Sequence, residues 1–296
     1  FGSIQVAQED ADRVRLSGVH GSPAPATAKV CLNLEGGFRN RMSFVLTGLR
    51  QEAKAGWVED ALFTRLGGKD RFDAVDVRFV PAPSDARTQE ESSGRLHVTV
   101  KSRDDRLVGR AFSSACIELA LANYPGFFAS GAPGDAQSFG VYWPALVDAA
   151  EVDERVVLWD GTSVPVAGPP RGAVAEPRQE ASTTSALAAV GPAIGEPLGA
   201  CFAARSGDKG GNANVGIWAR DDAGYAWLAA NLTVDDVRAM LPEAAGLEVR
   251  RTELANLHAL NFVIVGLLGE GVASSTAFDA QAKGLGEYLL SRVWRG

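Results

Sequence analysis

The residues best able to do chemistry are concentrated in one stretch, 205–214, of this 296-residue chain. It combines three glycines, two cations, one carboxylate and two amides: Arg205, Ser206, Gly207, Asp208, Lys209, Gly210, Gly211, Asn212 and Asn214. Glycines let backbone N–H groups converge on an anion, and the two cations could add charge-assisted hydrogen bonds to a phosphate or carboxylate. Asp208 could orient Lys209 or act as a base, so these two are the catalytic candidates and the rest are ligand-binding candidates. The alternative is an ordinary hairpin, in which Asp208 pairs with a cation and the amides satisfy turn backbone.

A second candidate stretch is 36–41, which reads Gly-Gly-Phe-Arg-Asn-Arg. Arg39, together with Arg41, could face an anionic ligand shared with the first stretch, since junctions between units are common sites of ligand clefts. The alternative is two solvated arginines beside a turn, the usual place of surface arginine.

Other reactive side chains form no recognisable constellation. The three histidines, at positions 20, 97 and 258, have no ligand spacing, so the sequence predicts no metal site and identifies no cofactor. His258 is interpreted as structural. The three cysteines, at 31, 116 and 201, lie far apart, which indicates a reducing compartment and three small buried apolar side chains.

Composition excludes several classes of protein. A net charge of -7 argues against a nucleic-acid partner, because binding phosphates requires a concentrated basic surface. The longest apolar run, 259–268, is far short of the roughly 18 residues that cross a membrane. We therefore expect a cytoplasmic protein without a membrane partner, and the start at Phe1 suggests a fragment or processed subunit.

Periodicity predicts the order β-β-α-β-β-α in the first half. Strands are expected at 14–19 and 29–34, with a break at Gly36-Gly37 before a returning strand at 42–46. A helix is expected at 51–66, with Ala53, Trp57, Ala61 and Leu62 on its apolar face and a glycine stop after it. Further strands are predicted at 75–80 and 96–100, a helix at 107–122 and a short strand at 156–166.

The same order is predicted after a linker rich in Pro, Ala, Ser and Thr. Residues 1–170 then form the first unit, 171–190 the linker and 191–296 the second unit. Its predicted elements are strands 198–203 and 213–219, a helix from Thr233 to Met240, strands 247–253 and 259–268, and a final helix at 281–293. The fold class is α+β, with two β-β-α-β-β-α units and antiparallel sheets.

Several stretches resemble a known family. Residues 204–216, Ala-Arg-Ser-Gly-Asp-Lys-Gly-Gly-Asn-Ala-Asn-Val-Gly, are similar to the hallmark of the acyclic terpene utilisation (AtuA-like) proteins. Residues 254–262, 266–269 and 271–275 look like the end of the family's C-terminal domain. Residues 25–31 and 36–39 resemble its middle region, so the chain looks like the C-terminal portion of longer members, whose N-terminal half would be a partner.

This resemblance implies a ferredoxin-like fold for 191–296 and a role in the catabolism of terpenoids and branched acids through acyl-CoA intermediates. The leading hypothesis is an acyl-CoA lyase, hydratase or thioester hydrolase that binds an acyl-CoA or carboxylate at 205–214, with a coenzyme A thioester as substrate. One alternative is a non-catalytic portion that supports a catalytic N-terminal half and assembles into homo-oligomers through exposed sheet edges. Another is a simple ligand-binding module.

Overall fold

A computed structural model describes residues 3–122, 124–172 and 188–296. Most of the predicted linker lies outside these ranges, and the predicted domain boundary stays a prediction. The chain divides into two compact units, one of residues 33–141 and one of residues 1–32 with 142–296. No helix among the described residues is both long and apolar enough to cross a membrane.

The described residues contain thirteen β-strands and five α-helices. The strands are β1 Gln5–Asp10, β2 Arg13–Ser17, β3 Thr27–Thr47, β4 Ala74–Val80, β5 Ser93–Ser102, β6 Phe128–Ala129, β7 Gln137–Asp148, β8 Arg155–Val157, β9 Ser163–Pro165, β10 Ala203–Lys209, β11 Asn212–Trp218, β12 Val249–Leu254 and β13 Ala259–Ile264. The helices are α1 Gln51–Leu66, α2 Phe112–Ala122, α3 Asp222–Asn231, α4 Val234–Met240 and α5 Leu285–Leu290. The architecture is mixed α+β with antiparallel sheets, as predicted.

The unit of residues 33–141 is built on a sheet of order β4-β5-β3-β6, with β7 also paired to β3. Helices α1 and α2 pack on one face of this sheet, where Phe44, Leu96 and Phe112 are buried in one apolar core. A π-helical turn, Leu107–Ala111, leads into α2. The predicted helix 51–66 is confirmed, and Gly67 ends it in the left-handed conformation, with φ of 82°.

Two predictions in this half are wrong. Gly36 and Gly37 do not form a turn, because β3 runs through them as one long strand. A Cβ on Gly36 would lie 2.2 Å from the Phe139 ring, so the glycine is required by a close approach of β7 rather than by a chain reversal. Trp57 was predicted to be buried but is 57% exposed, because the buried face of α1 is formed instead by Ala55, Val58, Leu62, Phe63 and Leu66.

The C-terminal part forms a four-stranded antiparallel sheet of order β10-β11-β13-β12. One face carries the apolar core, where Ile217, Leu260 and Phe262 pack with Leu228 of α3 and Leu289 of α5. Helix α4 is confirmed, with a capping box formed by Thr233 and Asp236.

The sequence-based elements differ from the structure elsewhere in this part. The predicted strand 198–203 is a short 3-10 turn, Leu198–Ala200, and the strand begins at Ala203. Helix α3 was not predicted, although the Asp221 side chain caps it by accepting from Gly224 N at 2.8 Å. The final helix is restricted to Leu285–Leu290, and the predicted strand 156–166 is instead the short hairpin β8-β9.

Candidate anion-binding face

The stretch 205–214 is a β-hairpin rather than an open loop. Its residues lie on the antiparallel strands β10 and β11. The pairing begins at Ala203 opposite Trp218 and ends at Lys209 opposite Asn212, so Gly210-Gly211 is a two-residue turn. The hairpin that the sequence left open as the alternative is the geometry observed. Most of its backbone groups belong to a sheet ladder, so a site here depends on side chains and on the sheet face they occupy.

Two of the three glycines are explained by local geometry. Gly210 has a φ of 63°, and positive φ at the first central residue is typical of the type II′ turns that close two-residue hairpins. A Cβ on Gly211 would lie 2.1 Å from the Gly269 carbonyl oxygen. The Gly211 carbonyl also accepts from Leu268 N at 2.9 Å, so the turn is packed against the segment that follows β13.

The hairpin register separates the two catalytic candidates. Asp208 pairs with Ala213, which is fully buried on the face covered by helices, whereas Lys209 pairs with Asn212 and is exposed. Because consecutive side chains of a strand point to opposite faces, Asp208 and Lys209 do not share a surface. The structure does not bring this predicted pair together.

Ser206 lies on the covered face and joins β10 to the last helix. Its hydroxyl accepts from Gly286 N at 2.8 Å and donates to the Lys283 carbonyl at 3.3 Å. Both bonds fix the start of α5, which gives Ser206 a structural role. Asn212 is similarly used by the fold, since its side-chain oxygen accepts from Gly266 N at 2.8 Å.

The face of this sheet away from the helices carries the remaining candidates. In one row Arg205, Gly216 and Asn261 stand opposite one another on three strands, and in the next row Gly207 stands opposite Asn214. Cross-strand neighbours lie about 5 Å apart, so these side chains form one surface. We call it the amide face; it consists of Arg205, Gly207, Asn214, Gly216 and Asn261.

Hydrogen bonding and charge define the chemistry of the amide face. Asn214 donates through its side-chain nitrogen to the Asn261 side-chain oxygen, and the Asn261 side-chain nitrogen is a further donor group of this face. The Lys283 ammonium lies 3.4 Å from where a Cβ on Gly207 would be, which adds a second cation beside Arg205. No residue at the paired register positions of this face is a carboxylate. The arrangement can bind an anion.

Sequence reasoning missed Lys283 and the alignment of Asn261 with Arg205. Lys283 is distant from the motif in the sequence, and no local pattern marks it. Asn261 carried a weak signal, since a polar amide within the apolar strand Ala259–Ile264 must find a partner or face a polar surface.

Comparisons with known proteins now identify the family. The model of the acyclic terpene utilisation family protein AtuA matches residues 1–158, more than half of the chain, and the model of the AtuA ferredoxin-like domain matches residues 197–294. The chain belongs to the AtuA family. No curated protein and no solved structure gives a significant match.

The matches extend the predicted resemblance. The AtuA model covers residues 1–158 as well as the ferredoxin-like domain, so a resemblance to a C-terminal portion alone was too narrow. The ferredoxin-like description of the second unit is confirmed.

The cysteines of this AtuA-family chain are poor nucleophiles where they are buried. Burial raises the pKa of the Cys116 thiol to about 12. Burial, and then the Glu196 carboxylate, raise the pKa of Cys201. Cys31 was predicted to be buried but is exposed on β3, so that prediction is wrong.

The histidines occupy separate environments. The His258 Nε2 lies 2.9 Å from the Asp222 Oδ1, and the residue has a φ of 49° at the end of a 3-10 turn rather than a place within a strand. His97 lies on β5, where its Nδ1 is 2.7 Å from the Ser43 hydroxyl. Among the described residues, no group of three or more His, Cys, Asp or Glu side chains could hold a metal ion.

Arg39 lies on β3, in the unit of residues 33–141, whereas Arg205 lies in the other unit. Burial, and then the neighbouring Arg41, lower the pKa of Arg39. A site shared by the two arginines stays a prediction.

Proposed function

We propose that this chain serves the utilisation of acyclic terpenes or related branched acids by binding an anionic metabolite, an acyl-CoA or a carboxylate, on the amide face. The observation that supports this most is the placement of Arg205, the Lys283 ammonium and the Asn261 amide around two glycines, with no carboxylate at the paired positions. Family membership supports the metabolic setting.

Two glycines leave space open on the amide face. Gly207 and Gly216 remove two side chains from the rows that contain Arg205, Asn214 and Asn261, so a ligand can approach the sheet backbone closely. A carboxylate or phosphate there would meet a guanidinium, which binds such groups in a bidentate manner, and an amide donor.

The reaction remains of the class proposed from the sequence: lyase, hydratase or thioester hydrolase. Asp208 lies on the opposite side of the sheet and does not serve a ligand on the amide face. Lys209, at the exposed end of the same strand, is the candidate for proton transfer to a bound ligand.

Isothermal titration with coenzyme A, a branched acyl-CoA and the corresponding free acid tests the proposal. We expect saturable binding to the wild-type chain and a loss of about tenfold or more in Arg205→Gln/Lys283→Gln. Arg295→Gln is the matched control, since Arg295 is exposed near the C terminus. Binding that is absent in the wild-type chain, or equally weakened in the control, would overturn the proposal.

A second candidate role is assembly of subunits, and one observation favours it. All residues of hairpin β1-β2 are exposed, including the cross-strand pair Val6 and Leu16, and Trp159 beyond β8 is 97% exposed. A lone two-stranded hairpin is at best marginally stable in water, so an apolar hairpin face favours a covering partner, here a second copy of the chain.

Light scattering during size exclusion tests this role. We expect a dimer or larger for the wild-type chain and a shift toward the monomer for Val6→Lys/Leu16→Lys. Arg13→Lys on the same hairpin keeps the charge and is expected to leave the assembly unchanged. A monomeric wild-type chain would contradict the proposed role in assembly.

A further inference from the structure

The sheet in the unit of residues 33–141 has many basic residues on the face away from its helices, on the three neighbouring strands β4, β5 and β3. At the register positions that pair these strands, this face includes five cations, one histidine and one carboxylate, Asp76. We call this surface the basic face; it consists of Arg39, Arg41, Arg78, Arg95, His97 and Lys101.

The strand register groups these side chains in rows. Lys101 stands opposite Arg39, and the next row is Asp76, Thr99 and Arg41. The following row is Arg78, His97 and Ser43, and in the row after it Arg95 stands between Val80 and Val45. The intervening residues of the same strands, such as Val98 and Phe44, are fully buried under the helices. The charges therefore share one side of the sheet.

Cations placed this close together on a sheet repel one another, and a bound anion would reduce that repulsion. Like charges directly opposite one another on neighbouring strands destabilise a sheet. Burial and Arg41 lower the pKa of Arg39, and burial, Arg78 and Arg95 lower the pKa of His97, so cationic neighbours influence both groups. The chain as a whole carries a net charge of -7, so its average composition does not account for this face.

Several of these cations are held in place by the fold. Arg78 Nη2 lies 2.8 Å from the Asp76 Oδ2, and Arg95 Nη1 donates to the Ser93 carbonyl at 2.8 Å. The Lys101 ammonium lies 4.7 Å from the centre of the Phe139 ring. Arg39, Arg78, Arg95 and Lys101 are each partly buried. A partly buried, ordered set of cations loses less conformational freedom on binding an anion than freely moving surface lysines do.

We propose that the basic face binds a small molecule that carries two or more phosphate groups. Arginine forks match phosphate oxygens in a bidentate manner, and the hydroxyls of Ser43 and Thr99 stand between the arginines as further donors. The face measures about 10 Å across three strands and about 20 Å along them, the size of a diphosphate ester. The acidic charge of the whole chain disfavours nucleic acid as the ligand.

His97 supplies an independent readout. Its Nδ1 is bonded to the Ser43 hydroxyl, and its position between Arg78 and Ser43 places it at the centre of the basic face. A bound phosphate adds negative charge beside the ring and raises the pKa of His97. The chain contains only three histidines, so the proton signals of the His97 ring can be assigned with a His97→Gln variant.

The test is a titration with inorganic diphosphate and with adenosine diphosphate at fixed ionic strength. Binding is measured by calorimetry and by the proton signals of the His97 ring. We expect saturable binding, displacement of the His97 signals, and at least about tenfold weaker binding in Arg41→Gln/Arg95→Gln. Arg106→Gln/Arg110→Gln is the matched control, because both are exposed at the helix layer on the other side of the sheet and the same charge is removed.

Three outcomes would overturn the proposal: no saturable binding to a folded chain, equal weakening in the control, or tighter binding of a thymidine oligonucleotide than of either diphosphate. Thermal unfolding of each variant shows whether it is folded. This inference does not rest on the amide face, because the free branched acid, which carries no phosphate, tests the amide face alone. The two proposals can therefore fail separately.

Discussion

The amide face and the basic face both lie on the side of an antiparallel sheet away from its helices, and they differ in how polar groups are placed on them. On the amide face, glycines and amides occupy the centre and the cations stand at the edge strand β10. On the basic face, cations occupy all three strands. Glycines in a sheet let one anionic group approach the backbone closely. Several arginines on one sheet face instead favour a ligand that carries several negative charges.

The largest effect on stability is expected from a substitution in the Gly210-Gly211 turn, which joins two strands of the sheet that carries the amide face. Gly211→Ala places a Cβ 2.1 Å from the Gly269 carbonyl oxygen, and relieving this clash requires the backbone to move. We expect a loss of about 3 kcal/mol in the free energy of unfolding, measured by urea denaturation. Gly216→Ala is the control, since its nearest neighbour would be at 3.8 Å. Equal stability of the two variants would contradict the packing described for the turn.

The next effect concerns the charge of the amide face. Asn261→Asp adds a carboxylate opposite Gly216 and beside Asn214, on a face without one at its paired positions. Repulsion between like charges should weaken binding of a carboxylate or acyl-CoA by about tenfold or more, measured by calorimetry. Asn261→Ser, which keeps a neutral hydrogen-bonding group, should lose less, and the reverse order would argue against an anionic ligand there.

The pH dependence of stability distinguishes the basic face from the amide face. Burial, Arg78 and Arg95 lower the pKa of His97 below that of the unfolded chain, so the unfolded chain binds this proton first as the pH falls. The contribution of His97 to stability is therefore complete above about pH 6.5 and is lost as the pH falls from there toward the lowered pKa.

Denaturation at pH 7.5 and at pH 5 measures this effect. His97→Gln should show a smaller decrease in stability between the two pH values than the wild-type chain. A saturating diphosphate ligand should reverse the sign of the shift at His97, because it favours the charged ring. A His97 pKa above the ordinary range without ligand would contradict the cationic environment.

The smallest effect is expected from removing one charge of the basic face. Arg41→Gln takes away the cation that lowers the pKa of Arg39 and relieves repulsion across the sheet. Without ligand we expect stability to be unchanged or higher by about 0.5 kcal/mol, as for other like-charge pairs on sheets. Thermal unfolding with and without diphosphate measures it, and a large destabilisation without ligand would mean that Arg41 is structural.

Local signals predicted several elements correctly. Helix α1 was predicted at its observed bounds. The helical spacing of its apolar residues ends at Leu66, and the positive φ of Gly67 suits a helix C-cap. Helix α4 begins directly after its N-cap Thr233, which forms a capping box with Asp236, three positions later. Both features are set by neighbours in sequence.

Non-local contacts account for the errors. Gly36-Gly37 has the composition of a turn, but the ring of Phe139, about a hundred positions later, occupies the space that a Cβ on Gly36 would need. Trp57 was placed on the apolar face of α1 by period alone, and the helix instead buries Val58 together with Leu62, which was predicted on that face.

By itself the sequence determined the α+β class, the antiparallel sheets, the bounds of α1 and α4 and the family, because these depend on local periodicity, capping residues and contiguous motifs. Tertiary structure alone decided that Asp208 and Lys209 lie on opposite faces, that Lys283 lies beside Gly207, and that arginines from three strands share one surface. The physical reason is strand register: a shift of one residue moves every side chain of a strand to the other face, and contacts between distant strands set that register.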